Sequence, residues 1–255
     1  MLAELGYAAT NLTLWSEPAW ADLPRLARVA EANDLSVATV YVTIDISKAP
    51  TDEATQRALD MIRTIEATRT VEIALIAGTT FAPSDMKGDA AARAFLDQAL
   101  AAAETNGVTL LLYPHTFGWM EHVDDAVRLA AAYDDPRLGL SLSVFHWYAT
   151  DRSDLRGTVR RAAPYLGMVN ISGSRPQQGS YFPATIEPVG QGEFDAFHFL
   201  AVLRDNDYSG PLGVQSYGIG GDPYTSFEQS RNAIRKMEER LARQPTWGSL
   251  RADRI

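Results

Sequence analysis

The sequence predicts an α/β fold of the TIM (β/α)8 barrel type, with one strand too few. Apolar runs typical of strands alternate with stretches typical of helices along almost the whole chain. Strands that are apolar at every position indicate a parallel sheet buried on both faces. Repeated strand–helix units without a break in composition favour a closed barrel. An open doubly wound sheet has less support, because no G-x-G-x-x-G motif follows the first strand.

Seven strands are predicted by short apolar runs, at residues 8–14, 35–44, 71–77, 108–113, 138–144, 167–171 and 212–215. Helices are predicted between and after them by strong helix formers and by stop signals such as Asn106-Gly107. They are placed at residues 18–33, 52–68, 90–105, 123–133, 154–163, 194–206 and 226–243.

A complete barrel has eight strands, so this count is short by one. Residues 1–6 are typical of the end of a helix that leads into a strand, and we therefore expect the first barrel strand to be the missing one. We expect a single barrel domain over residues 1–243 and a short polar tail over residues 244–255.

Composition limits the kinds of partner. The net charge is −9 and only three lysines occur, which argues against a surface for nucleic acid or anionic membrane. The absence of cysteine excludes thiol catalysis, disulfides and cysteine-bound zinc. No apolar run approaches the ~20 residues of a membrane span, and no signal peptide is recognisable. We expect a cytoplasmic protein whose partner is a small molecule, with a homo-oligomer as an open possibility.

Polar and aromatic side chains cluster where four of the predicted strands end. They are Tyr113, His115, Ser143, His146, Asn170, Arg175, Gln215 and Tyr217. Because ligands of parallel α/β folds bind beyond the carboxyl ends of the strands, we expect these side chains around one mouth. No carboxylate occurs in this set.

The spacing YPH…FHW…VNISGS…PVGQGEFDAFHFLAVLRDNDYSGPLGVQSYG resembles the xylose isomerase-like TIM barrels, and within them the sugar phosphate isomerase/epimerase superfamily. The resemblance covers most of the chain and implies an isomerase or epimerase of carbohydrate metabolism. Members with a metal site carry Glu, Asp, His and Glu at the ends of strands five to eight. The matching positions in this chain hold Tyr113, Ser143, Asn170 and Gln215.

Neutral hydroxyl and amide oxygens do not offset the dehydration of a divalent ion, so we expect a degenerate metal site and no cofactor. An altered site for Mn²⁺, Mg²⁺ or Zn²⁺, built from His115, His146 and Asp45, is the alternative.

Catalytic roles fall to the two histidines of the mouth. The resemblance places His146 among groups that contact substrate and His115 near it, and an imidazole titrates close to neutral pH. Tyr113 and Asn170 would donate hydrogen bonds to a developing enolate.

The remaining candidates are expected to bind substrate. Trp147, Tyr217 and, with less support, Trp15 would stack on a sugar, and Arg175 would bind an anionic group or a hydroxyl. Tyr41 and Asp45 end the second strand and extend the site. Lys87 and the glycine-rich stretch before Ser226 are weaker candidates for binding an anion or phosphate. His122 and His198 are expected to pack within helices.

These observations favour a sugar or keto-sugar isomerase or epimerase that moves a proton next to a carbonyl, without the metal of the family. Two alternatives stay open. One is a non-catalytic sugar-binding barrel, and the other is a lyase or dehydratase acting on a keto-sugar or an inosose-like substrate.

Overall fold

The structure is a computed structural model that describes residues 1–244 and 246. Its seven strands form one parallel sheet in chain order. They are β1 (Ala9–Thr13), β2 (Ser36–Asp45), β3 (Thr70–Ile76), β4 (Thr109–Leu112), β5 (Leu138–Ser143), β6 (Leu166–Ile171) and β7 (Leu212–Val214). Each predicted strand is present, and the prediction of a TIM-type α/β fold with seven strands is confirmed.

Eight α-helices lie within the described residues. They are α1 (Glu17–Glu31), α2 (Glu53–Thr64), α3 (Asp89–Asn106), α4 (Val123–Tyr133), α5 (Val144–Thr150), α6 (Leu155–Ala162), α7 (Ala196–Asp205) and α8 (Pro223–Arg243). Asp or Ser side chains at the start of most of them accept hydrogen bonds from backbone N–H groups that the helix leaves free, for example Asp52 before α2. Gly107 ends α3 in the left-handed conformation (φ 63°), as the Asn-Gly signal predicts.

The two faces of the sheet differ in chemistry. Outward-facing residues such as Val40, Ile73 and Leu112 are fully buried against the helices and belong to the main hydrophobic core. The inward-facing positions hold a small apolar cluster, made by Tyr41, Ala74 and Tyr113, beside buried polar side chains such as Glu72 and Ser141. The interior of the barrel therefore differs from the layers of branched apolar residues that usually fill a TIM barrel.

The sheet is open between β1 and β7, which do not pair with each other within the described residues. Aromatic contacts span this side. The rings of Tyr7 and Phe227 meet edge to face at 5.5 Å, and the Tyr7 hydroxyl donates to the Phe227 carbonyl at 2.8 Å. The rings of Trp15 and Tyr217 meet at 5.0 Å.

One helix was not predicted. Residues 144–150 (VFHWYAT) follow β5 without a break and form α5, whereas the predicted strand ends at residue 144 with no helix after it before residue 154. All but the last of these residues are buried, so the stretch lacks the polar face by which an amphipathic helix is recognised. The predicted tail, apart from Gln244 and Thr246, lies outside the described residues. No described helix is long and apolar enough to cross a membrane.

Candidate active site

Two imidazoles stack at the mouth of the barrel, where the strands end. His115 follows β4 and His146 lies in α5, directly after β5, so the two neighbouring strands bring the rings together. Their centroids are 3.9 Å apart, with the ring planes inclined by 38°. His146 is buried and His115 is half-buried, so His115 is the more accessible of the two.

The backbone of Thr116 makes a hydrogen bond to each imidazole. Its N–H donates to Nδ1 of His146 at 3.2 Å. Its carbonyl lies 2.6 Å from Nδ1 of His115 and can only accept, so this Nδ1 carries the proton. In the neutral rings, Nε2 of His115 is therefore a lone-pair acceptor, while Nε2 of His146 bears the proton.

Burial favours the neutral form of both rings. It lowers the pKa of His146 well below its ordinary value of 6.5, and the adjacent His115 lowers it further. Burial also lowers the pKa of His115, against a smaller opposing effect of the Thr116 carbonyl. Both imidazoles are thus neutral at pH 7, one able to take a proton and the other able to donate a hydrogen bond.

A pair of tyrosines lies next to the histidines. The Tyr113 ring contacts His146 edge to face at 5.4 Å and Tyr41 at 5.0 Å. Burial raises the pKa of Tyr113 well above 10 and that of Tyr41 to about 12, so both hydroxyls stay protonated. The hydroxyl of Ser143 hydrogen-bonds Tyr113 and donates to Oε1 of Gln215 at 2.8 Å.

A carboxyl group lies inside the barrel that the sequence analysis did not single out. Glu72 on β3 is 1% exposed. Its Oε1 accepts hydrogen bonds from Ser141 at 2.5 Å and from the amide of Asn170 at 3.0 Å, and its Oε2 accepts one from Thr39 at 2.8 Å. Burial raises its pKa, and the three donors oppose that rise.

Glu72 also determines what Asn170 can do. The amide nitrogen of Asn170 donates to Glu72 and, at 3.1 Å, to Ser141, which uses both of its hydrogens. Its Oδ1 lies against Gly213, where a Cβ would approach to 2.7 Å. The expected donation from Asn170 to an enolate therefore finds no free N–H in this structure. The Tyr113 hydroxyl is protonated and donates to the Ser143 oxygen, because Ser143 gives its own proton to Gln215.

The residues at the family's metal positions do not fit a divalent ion. Tyr113 is protonated, Ser143 and Gln215 hydrogen-bond each other, and the Asn170 amide is held by Glu72. Within residues 1–244 and 246, no three side chains from His, Asp and Glu form a group that could hold a metal ion. This includes the alternative trio of His115, His146 and Asp45. The Asp45 carboxylate accepts hydrogen bonds from the backbone and hydroxyl of Ser47 at 3.0 and 2.6 Å.

Trp147 does not face the mouth. It is 3% exposed in the hydrophobic core and contacts Phe194. Successive residues of a helix project about 100° apart, so α5 turns Trp147 into the core while His146 contacts Tyr113. The prediction that Trp147 stacks on a sugar is therefore wrong, because its ring has no accessible face.

Two groups expected to bind substrate are instead hydrogen-bonded to other residues of the protein. Arg175 forms a bidentate ion pair with Glu187 at 2.7 and 3.0 Å, although its side chain remains half exposed. The start of the last helix is capped by Asp222, which accepts from the N–H groups of Tyr224 and Thr225. The Asp222 carboxylate thus uses the backbone donors that a phosphate would need at this helix start. Lys87 is exposed in a turn before α3.

Trp15 and Tyr217 are exposed at the rim, by 52% and 57%. Trp15 also contacts Tyr41, at 6.1 Å, which links the rim to the tyrosines next to the histidines. Both rings have an accessible face at the rim, and their stacking on a sugar stays a prediction. His122 precedes α4, and His198 is buried in α7.

Comparison with known proteins agrees with this architecture. A solved L-ribulose 3-epimerase superposes with a TM-score of 0.74 at 19% identity, covering 98% of this chain and 90% of that one. A D-psicose 3-epimerase with D-tagatose, from Clostridium cellulolyticum H10, gives 0.71 at 17% identity, with 93% and 90% covered. At these identities the likeness shows the fold alone.

One curated relative is a Mus musculus protein named "Putative hydroxypyruvate isomerase". It is 32% identical over 102 residues, which are 38% of this chain and 33% of that protein. The chain thus spans about a third of the length of the curated relative that it matches. The family model described as "Xylose isomerase-like TIM barrel" matches residues 1–238, almost the whole chain. This protein is a member of the xylose isomerase-like TIM barrel family.

Proposed function

We propose that this protein is an isomerase or epimerase that moves a proton next to the carbonyl of a sugar or keto-sugar, without a divalent metal. The proposal rests on Thr116, whose backbone hydrogen-bonds both stacked imidazoles and fixes them in complementary tautomers. A base and a hydrogen-bond donor side by side are what an enolisation requires. The epimerases that share this fold, and the named isomerase relative, support the substrate class.

The reaction follows from the two free nitrogens. Nε2 of His115 takes the proton from the carbon next to the carbonyl, and the electrons of the broken C–H bond form a C=C bond. The carbonyl π electrons move to oxygen, which receives a hydrogen bond and then the proton from Nε2 of His146. Neutral imidazole is known as a donor in such steps. For the isomer, the His115 imidazolium returns its proton to the former carbonyl carbon, and Nε2 of His146 takes back a proton from the hydroxyl on the carbon that was deprotonated. For the epimer, a water molecule on the opposite face delivers the proton to the first carbon and the His115 imidazolium neutralises the hydroxide, while Nε2 of His146 takes back the proton from the enol oxygen.

Tyr113 supports the same intermediate. Its hydroxyl stays protonated because burial raises its pKa, and its ring contacts His146. The phenolic proton would turn from the Ser143 oxygen to a developing enolate oxygen and stabilise it without ionisation of Tyr113. Trp15 and Tyr217 would cover the apolar face of the sugar at the rim.

Solvent exchange tests this proposal without knowledge of the natural substrate. D-Fructose, D-tagatose, L-ribulose and hydroxypyruvate are incubated with the protein in D2O, and loss of the C–H signal next to the carbonyl is followed by proton NMR. We expect exchange with at least one of them and a decrease of about 10²–10⁴-fold in His115→Gln. A non-catalytic barrel would bind a sugar without exchange, and full exchange in His115→Gln would contradict the assigned base.

A further inference from the structure

Beyond the mouth lies an outer aromatic patch, made by Phe117, Tyr181 and Phe182. Phe117 follows His115 by two residues in the loop after β4, and the other two lie in the long loop after β6. Ring centroids are 4.7 Å apart for Phe117 and Tyr181, and 5.7 Å apart for Phe117 and Phe182. Phe117 and Tyr181 are 45% and 76% exposed, although aromatic surface is normally buried.

The buried ring of Phe145 connects the patch to the candidate active site. Phe145 contacts His146 edge to face at 4.9 Å and Phe182 at 6.0 Å. A row of rings therefore runs from the reacting imidazole to the exposed face of the outer aromatic patch. A molecule seated on His115 and His146 would have this apolar surface beside it.

Both loops hold the rings firmly. Phe117 has a φ of 68°, which is uncommon for a bulky residue. The Glu121 carboxylate accepts its N–H at 2.9 Å, and the Gly118 N–H bonds the His115 carbonyl at 2.7 Å. Such local strain concentrates at functional sites.

The loop after β6 is pinned in the same way. Antiparallel bridges join Gly173 to Glu187 and Pro176 to Ala184, and the Arg175–Glu187 ion pair lies across its base. Tyr181 and Phe182 stand at the closed end of this loop. The ion pair thus gives Arg175 a role in holding the loop, in place of the expected contact with substrate.

We propose that the outer aromatic patch binds an aromatic substituent carried by the sugar, at a position that leaves the reacting carbonyl free. This inference rests on the proposed function and defines its substrate class more closely. The three side chains of the patch offer one polar atom, the Tyr181 hydroxyl, whereas a second sugar ring would need several hydrogen-bond partners. An exposed apolar surface beside a site is typical of a ligand groove.

Matched ligand pairs test the inference by binding rather than by turnover. Calorimetry compares D-fructose with 6-O-benzyl-D-fructose, and D-tagatose with its 6-O-benzyl ether. Because offset ring contacts add about 0.5–1.5 kcal/mol beyond burial of area, we expect the benzyl group to lower Kd by about tenfold. Tyr181→Ala should remove most of this gain and Tyr181→Phe should keep it. Val29→Ala, at an exposed apolar residue of α1, is the matched surface control.

The outcomes separate this inference from the proposed function. Equal affinity within each pair, or a gain that survives in Phe117→Ala/Tyr181→Ala, would overturn the inference even if the free sugars exchange in D2O. A benzyl-dependent gain lost in Tyr181→Ala would support it even if no exchange occurs, and the missing exchange would then count against the proposed function alone. Sedimentation velocity completes the test: if the double variant changes the oligomeric state, the patch is an interface between copies of this chain and the inference fails.

Discussion

Glu72 and Asn170, 98 residues apart in the chain, share a hydrogen bond of 3.0 Å inside the barrel. Asn170 occupies a position where relatives with a metal site hold a ligand, and Glu72 fixes its amide with both hydrogens directed inward. A buried carboxyl group without a cation nearby costs free energy unless it is well hydrogen-bonded. Three donors meet that need, so the network has consequences for stability that can be measured.

Two substitutions of Glu72 should distinguish the contribution of its volume to stability from that of its hydrogen bonds. Glu72→Ala leaves the Asn170 amide and the Ser141 and Thr39 hydroxyls without their acceptor, at about 1–3 kcal/mol for each group left unsatisfied. Glu72→Gln keeps the volume and an acceptor oxygen and should unfold at or above the wild-type denaturant midpoint. Urea titration at pH 7 measures both. Equal stability of the two variants would show that the network contributes nothing.

The same carboxyl group predicts a pH effect of definite sign. Burial raises its folded-state pKa above the ordinary 4.5, so the folded state holds the proton more tightly than the unfolded state. The contribution of Glu72 to stability is therefore greatest below pH 4.5 and is lost as the pH rises through the folded-state pKa. Glu72→Gln should gain stability relative to wild type as the pH rises above 4.5. Urea midpoints of both proteins from pH 4.5 to 8 test this, and a constant difference would contradict it.

His146 predicts a second pH effect. Its folded-state pKa lies below 6.5, so the unfolded chain takes up a proton first as the pH falls. Its contribution to stability is therefore fully present above pH 6.5 and is lost as the pH falls towards the folded-state pKa. His146→Asn should show a shallower loss of stability between pH 7 and pH 5 than wild type. Parallel slopes would mean that folding does not lower the pKa of His146.

Replacing Trp147 should affect stability, whereas replacing Trp15 should affect sugar affinity. Trp147→Ala removes a large ring from the core and should lower the free energy of unfolding by about 3–5 kcal/mol. Trp15→Ala removes an exposed ring and should change it by about 0.5 kcal/mol or less, while weakening the affinity for the exchanging sugar. Unfolding by urea and sugar titration of both variants give the comparison. Weaker sugar binding by a folded Trp147→Phe, with Trp15→Ala unchanged, would reverse the assignment.

Chelation tests the expected independence from metal. At the family's metal positions, Ser143 and Gln215 hydrogen-bond each other, and Asn170 is held by Glu72, which accepts from three donors. Protein treated with EDTA should therefore keep its Tm and its exchange rate in D2O, and added Mn²⁺ or Mg²⁺ should change neither. Elemental analysis of protein purified without chelator is the control. Stoichiometric metal, or exchange that returns only with Mn²⁺, would contradict the expectation.

The sequence predicted the fold well because each buried parallel strand is a continuous apolar run, a signal that does not depend on tertiary context. It failed for Trp147 because a short apolar segment can be strand or helix. Only the helical geometry of α5 shows that Trp147 and His146 point in different directions. It missed Glu72 although a signal was present, since one Glu stands in the apolar run TVEIALI. The partners of Glu72 come from three other strands, and pairings between distant positions of this kind cannot be read from spacing along the chain.

The opening between β1 and β7 should determine where the sheet first separates during local unfolding. Elsewhere each strand is tied to both neighbours by backbone hydrogen bonds, but on this side the rings of Tyr7 and Phe227, and of Trp15 and Tyr217, span the space. Side-chain contacts yield more easily than a ladder of amide bonds, so transient parting of the barrel wall should begin there. Backbone amides of β1 and β7 would then take up deuterium sooner than those of β3 and β4. At the mouth, the side near Trp15 would thus open transiently more often than the side formed by β4 and β5 beneath the stacked histidines.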